Sequence, residues 1–325
     1  MLSTLLFCRD INTGSASPKI KNMTNPKLIK SISELHRLLG YPKPKHPSVS
    51  LIHTKDVTIP EELYGEKLVF DFYVISLKEK SGELKYGHNY YDFEEGTLIF
   101  TAPGQVITPL KRPQQENQSG WSLYFHPDLI RISGFAERIK EYSFFSYFTH
   151  EALHVSDEEK RILYECVSNI EKEYSLNIDR HSQVLIVSNI QLLLNYCTRF
   201  YDRQFITRSH HNKTIIAKLE HFLSSYYRTT PEDRTGLPTV AQCAEAVNLS
   251  PHYLSDLLKK ETGKNTQEHI HHFIIEEAKN RILATSDPIG EIAFQLGFNY
   301  PAYFTKMFKA KTGFSPLMYR RFNEN

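Results

Sequence analysis

The chain has 325 residues, long enough for two domains that each bury a core of their own. Its composition (40% hydrophobic, 23% charged, no low-complexity tract) is that of a soluble globular protein, and no apolar run approaches the roughly 20 residues of a membrane span. The formal net charge of +2 gives no global sign of a nucleic-acid binder, so any basic surface must be local.

At the N-terminus, Leu5-Leu6-Phe7-Cys8 has the texture of a weak export signal. No positive charge precedes it, however, and the apolar run is shorter than a typical h-region of about 7–15 residues, so export is rejected. Residues 1–22 lack periodicity, and Met23 is an alternative start. Ser31 to Leu39 carries a short helical pattern closed by Pro42, Pro44 and Pro47. From Leu51 to Phe125 the texture is β: Val69 to Leu77, Thr97 to Phe100 and Trp121 to Phe125 are β-branched and aromatic runs. Turn signals at Ser81-Gly82, Glu95-Gly96 and Pro103-Gly104 separate them, which predicts a small sandwich or barrel. Past Pro127 the pattern is helical. Glu158 to Tyr174 reads as one helix. Gln183 to Phe205 reads as another, with Leu185, Leu192, Leu193, Tyr196 and Phe200 on one side, a stripe that either seals a dimer or packs on the β-domain. Cys8, Cys166, Cys197 and Cys243 form no CxxC pair. Three of them fall in apolar helical patterns, as expected of buried thiols in a reducing cytoplasm.

The decisive signal follows Ile215. Val240 to Leu249 and Ile289 to Phe298 place apolar residues at matching positions: Val240/Ile289, Ala244/Ala293, Val247/Leu296 and Leu249/Phe298. After a one-residue insertion, Pro251, Tyr253, Leu254, Leu257, Leu258, Lys259, Thr262 and Gly263 match Pro301, Tyr303, Phe304, Met307, Phe308, Lys309, Thr312 and Gly313. One supersecondary unit thus occurs twice. In each, a short amphipathic helix ends in a tight turn, at Asn248 or Gly297, and a second helix opens on proline and stops at glycine. That is the helix-turn-helix layout. Gln267 to Ala284 reads as the continuous helix between the units. At about 1.5 Å per residue it spans roughly 27 Å, which, with packing offsets, sets two recognition helices about one DNA turn apart. After Pro288, five basic residues (Lys306, Lys309, Lys311, Arg320, Arg321) stand against two acidic ones.

The stretch from Ile289 to Lys309, with Thr312-Gly313, Ser315-Pro316 and Tyr319-Arg320, resembles the C-terminal signature of the AraC/XylS family of bacterial transcription regulators. The resemblance is strong from about Lys213 to Arg321. Over Leu51 to Pro109 it is looser, to the cupin-like sensory barrel of many members. It implies that His252, Ser255 and Asp256 of the first unit and Ala302, Thr305 and Lys306 of the second face bases in adjacent major grooves. Lys259, Tyr300, Lys309 and Arg320 would meet phosphates. Lys306 can donate to guanine O6/N7, and His252 can donate to or accept from a base edge. Many members have arginine or another donor where this chain has Asp256. A carboxylate accepts from cytosine N4 but repels phosphates, so the second unit is expected to grip harder.

Enzymatic signatures are missing from the sequence. Cupin enzymes hold a metal with clustered histidines and a carboxylate, whereas here His88 stands alone in Lys85 to Tyr90 and Ile107 occupies the place of the last ligand. His269, His271 and His272 cluster on the connecting helix with no carboxylate or cysteine to complete a site. Neither a Walker loop nor a GxSxG elbow occurs. No cofactor is implied. Phe72, Tyr90, Phe93, Trp121 and Tyr124 either line an effector pocket or fill the barrel.

The fold class expected is therefore α+β multidomain. Residues 1–30 are a disordered or untranslated segment, 31–150 a cupin-like β sensory domain and 151–210 a helical linker and dimerisation segment. Residues 211–325 are an all-α DNA-binding domain with two helix-turn-helix units joined by a long helix. The function expected is a cytoplasmic transcription regulator, not an enzyme. Its partners are double-stranded promoter DNA, a small-molecule effector, RNA polymerase and a second copy of the chain, with no membrane. The alternatives are a ligand-independent or partner-controlled regulator, and a metal-dependent cupin enzyme fused to a DNA-binding domain.

Overall fold

The computed structural model describes residues 7–8, 26–79, 96–109, 119–131, 133–176, 179, 181–228 and 236–323. They fall in two compact units, residues 1–204 and 205–325. The first is mixed α and β, and the second is helical throughout its described residues.

In the first unit the described elements run β1 (Phe7–Cys8), β2 (Lys27–Ile29), α1 (Ile32–Leu38), β3 (Val49–His53), β4 (Leu68–Phe70), β5 (Tyr73–Glu79), β6 (Gly96–Thr101), β7 (Val106–Pro109) and β8 (Gly120–Phe125). Then come α2 (Pro127–Arg131), α3 (Phe135–Arg138), β9 (Leu153–Val155), α4 (Asp157–Ser175) and α5 (Ser182–Thr207), with short 3-10 turns between. A five-stranded antiparallel sheet has the order β3-β8-β5-β6-β9, and a four-stranded sheet the order β1-β7-β4-β2. Ile29, Ile52, Leu68, Phe70, Phe72, Val74, Ile107 and Tyr124, drawn from both sheets, build one buried cluster, with Ile32 and Leu35 of α1 against it. Ser31 caps α1 by accepting from the Glu34 amide.

Four sequence expectations need correction. Residues 7–8 and 27–29, assigned to an unfolded leader, are strands, and Ile29 is fully buried. The Val69 to Leu77 run is two strands. The chain turns at Asp71-Phe72, where Phe72 stacks on Phe70 at 5.0 Å and meets Tyr124 edge-on at 6.0 Å, so β4 and β5 join different sheets. A strand also interrupts the helical region after Pro127: β9, with Leu153 and Val155 buried, pairs with β6. Its outer edge is covered by Gln204 of α5, which accepts from the His154 amide (2.8 Å) and donates to the Ala152 carbonyl (3.2 Å). On α5, finally, Leu193 and Phe200 are buried beside Ile186, Ile190, Leu194 and Cys197, whereas Leu185 and Leu192 are 44% and 45% exposed, so the expected single stripe is split. Beside Gln204, Arg203 grips the α4 capping-box residue Glu159 through Nε (3.0 Å) and Nη2 (2.8 Å).

Of the aromatics named for a pocket, Phe72, Trp121 and Tyr124 are core, at most 2% exposed. Burial pushes the Tyr124 phenol up to about 12, against a hydrogen bond from Ser122. A cavity of about 20 Å³, room for a single water, is lined by other residues, among them Phe100, Phe144, Tyr147 and Tyr201. Tyr90, Phe93 and His88 lie outside the described residues.

In the second unit, α6 (Ser209–Arg228), α7 (Val240–Ala246), α8 (Pro251–Thr262), α9 (Thr266–Ala284), α10 (Ile289–Gln295), α11 (Pro301–Thr312) and α12 (Pro316–Asn323) follow in order. The core runs through Leu219, Leu223, Cys243, Leu254, Leu258, Ile274, Ala278, Ile292, Phe304 and Phe308. Among the described residues no helix is long and apolar enough to cross a membrane.

Candidate nucleic-acid interface

The two repeats fold alike down to individual hydrogen bonds. Thr239 caps α7 in a capping box with Gln242, and Cys243 and Ala244 point into the core, where burial pushes the Cys243 thiol up to about 12. The helix ends as its twin does. Leu249 and Phe298 donate their amides to Ala244 and Ala293 at 2.9 and 3.0 Å, while Asn248 and Gly297 donate to Glu245 and Phe294 at 3.0 and 2.9 Å. These paired bonds satisfy helix-end carbonyls around a left-handed residue, with φ 57° at Asn248 and 93° at Gly297.

The second helix of each unit then starts on proline. Ser250 caps α8 by accepting from the Tyr253 amide at 3.2 Å, whereas Tyr300 precedes α11 with no side-chain cap. Both helices stop at left-handed glycines, Gly263 and Gly313. The hydroxyls of Thr262 and Thr312 reach the Leu258 and Phe308 carbonyls at 2.8 and 2.9 Å. Inner stripes are buried: Tyr253, Leu254, Leu257 and Leu258 on α8, and Phe304, Met307 and Phe308 on α11.

The outer faces carry the residues the sequence singled out. On α8, His252 and Lys259 are exposed and Ser255 and Asp256 half-buried. On α11, Ala302, Lys306 and Lys309 are exposed and Thr305 half-buried. Tyr300 stands 75% exposed at the head of α11. Each set therefore shares one helix face, available to a partner without unpacking the core. Between the two units α9, 19 residues long, spans about 28 Å.

Tyr303 is the residue that sequence reasoning missed. Its repeat mate Tyr253 is 4% exposed, packed against Phe205 at 5.1 Å, while Tyr303 is 57% exposed on the same face as Ala302 and Lys306. The alignment equates the two tyrosines, and Phe205, which packs on Tyr253, lies outside the repeat.

Arg320, expected at a phosphate, is engaged within the fold. Its Nε donates to the Ile282 carbonyl at 3.0 Å and its Nη2 to the Asp287 carbonyl at 2.8 Å. The histidines of α9 take separate partners: His269 bonds the Thr262 hydroxyl at 2.7 Å and His271 the Gln267 amide at 2.9 Å. Burial, more than the nearby Lys264 and Lys311, holds these two imidazoles below their ordinary value.

Two short-helix, tight-turn, long-helix units, each with a polar outer face on its second helix and joined by a rod, define a double helix-turn-helix domain. A family model described as a helix-turn-helix domain matches residues 243–321, and the C-terminal part of the chain carries a domain of this kind, of the AraC type. The chain is similar to YobQ of Bacillus subtilis, described as an HTH-type transcriptional regulator, at 34% identity over 82 residues, which is 25% of this chain and 34% of YobQ. To the raffinose operon transcriptional regulatory protein RafR of Pediococcus pentosaceus it is 30% identical over 83 residues, 26% of this chain and 30% of RafR. The C-terminal domain of AraT from Geobacillus stearothermophilus aligns at 30% identity and a TM-score of 0.29, over 33% of this chain and 83% of that one. The chain spans about a third of the length of the curated relatives it matches.

Proposed function

We propose that this chain is a sequence-specific DNA-binding transcription regulator that reads two successive major-groove segments with α8 and α11. The observation that carries this reading is the duplicated turn, with a matching hydrogen-bond pattern that leaves two polar outer faces on helices joined by one rod. His252, Ser255 and Asp256 face one set of base edges, and Ala302, Thr305 and Lys306 the other. Lys259, Tyr300 and Lys309 flank them toward phosphates, where their exposure supports the assignment. The lone carboxylate on the α8 face makes the second unit the tighter reader.

The first unit is read as a cupin-like sensory domain for a small polar effector. The support is a line of hydroxyls on the inner face of its larger sheet, where Ser76 and Ser122 lie 2.8 Å apart and the Tyr124 phenol bonds Ser122. A chain controlled by its amount or by a protein partner is the second reading, favoured by the complete burial of Phe72, Trp121 and Tyr124 as core. A homodimer through α5 is supported by the exposed Leu185 and Leu192, and RNA polymerase is the partner a promoter-bound regulator would meet.

Base-resolved footprinting tests the assignment. Lys306→Ala with Thr305→Ala should erase protection in one block of the site, and His252→Ala with Ser255→Ala should weaken the other, about one helical turn (roughly 34 Å) away. Loss of both blocks together with either pair would refute two independent readers.

A further inference from the structure

Arg320 aligns in the repeat with Ile270, a buried residue of α9. The two copies therefore diverge here: in the first the last helix runs on as the connecting rod, and in the second it is the short α12. Arg320 reaches from α12 to two carbonyls, one before and one within the linker into the second helix-turn-helix unit. Ile282 lies in the last turn of α9, where carbonyls have no helical partner, and Asp287 lies two residues before α10. A guanidinium suits this place. Its planar fork spans two acceptors, and its charge faces the negative end of a 19-residue helix.

The other bonds of the linker are local, the firmest being those of the Thr285 amide and hydroxyl to the Arg281 carbonyl at 3.1 and 3.0 Å. Thr285, Ser286 and Pro288 are exposed, Pro288 gives α10 no side-chain cap, and the local bonds Asp287 N–H to Thr285 Oγ1 and Gln295 Nε2 to Asp287 Oδ2 are long, at 3.4 Å. On its far side the second unit is fixed at its turn. A Cβ on Gly297 would lie 2.5 Å from the Gly236 carbonyl oxygen, and that same carbonyl accepts from the Tyr226 hydroxyl at 2.9 Å. α12 itself is braced on α11, with Tyr319 edge-on to Phe308 at 5.5 Å. The guanidinium thus ties the brace of the second recognition helix to the end of the rod.

We propose that Arg320 is a positioning residue that sets the angle of α11 relative to α9, and with it the register of the second base-reading face, and is not a phosphate contact. The proposal rests on α11 being a DNA-reading helix only for its consequence; the clamp itself is tested without DNA. Hydrogen exchange on the full chain should show the amides of residues 285–295 opening about tenfold faster in R320Q, as expected for the loss of two bonds to a charged donor, with α7 and α8 unchanged. R320K should resemble R320Q, since an ammonium keeps the charge but lacks a fork to span both carbonyls.

With DNA, R320Q should lose the block read by the second unit while the slope of log affinity against log salt stays at its wild-type value. A slope reduced by about one, with uniform weakening and R320K restored to wild type, is the behaviour of a phosphate contact and would overturn the proposal. Unchanged exchange in both variants would also overturn it. If the wild-type chain showed no sequence preference, the regulator reading would fail while the exchange result still decided the clamp. If R320Q did not fold, R320K would carry the same test.

Discussion

Asn248 and Gly297 close the same turn in the two repeats but sit in different surroundings. A left-handed φ of 57° suits asparagine, whose short amide tolerates that region, and Asn248 is exposed. At Gly297 the φ of 93° and the backbone of Gly236 both exclude a side chain. Gly297→Ala is therefore expected to cost on the order of 2 kcal/mol in chemical denaturation, and Asn248→Gly well under half of that. Equal costs would mean that the contact with Gly236 is not what fixes the turn. Both turns were legible because Asn and Gly at a helix end have one economical reading. The difference between Tyr303 and its mate Tyr253 was not, nor was the place of Arg320, since Phe205 packs on Tyr253 and Ile282 and Asp287 bind Arg320 from segments that no local pattern joins to them.

Caps and periodicity made the helices the most legible elements. Ser31, Ser156, Thr239, Ser250 and Asn265 all cap helices through their side chains. Ser250 is fully buried, so Ser250→Ala should leave the Tyr253 amide without its acceptor and lower stability by about 1 kcal/mol, read as a shift in thermal midpoint. A midpoint equal to wild type would show that the cap is dispensable. Strands were harder to place. The nine-residue Val69 to Leu77 run gives no local sign of the corner at Asp71-Phe72, which arises from two aromatic rings sharing one core, and the three-residue β9 is too short to show alternation. The stripe on α5 misled for a related reason. A 26-residue helix with apolar residues on several sides does not announce which of them its neighbours will cover.

Across the whole chain, the histidines couple fold to pH. His36 and His46 in the first unit, and His269 and His271 in the second, are held below 6.5, each chiefly by burial, and so stay neutral in the fold. The unfolded chain takes up those protons first. The contribution of these histidines to stability is thus full above pH 6.5 and is lost as pH falls through the lowered folded values. Thermal midpoints should drop between pH 7 and pH 5, and a flat profile over that range would contradict the burial of these rings. Charge at this scale conveys less, because a net +2 hides the local excess after Pro288. The central claim is that one chain reads DNA with two helices, and enrichment of genomic fragments on the purified full-length protein at fixed salt tests it most directly. The account predicts one motif with two contact blocks about one helical turn apart. Enrichment that follows salt alone, with no shared motif, would contradict it.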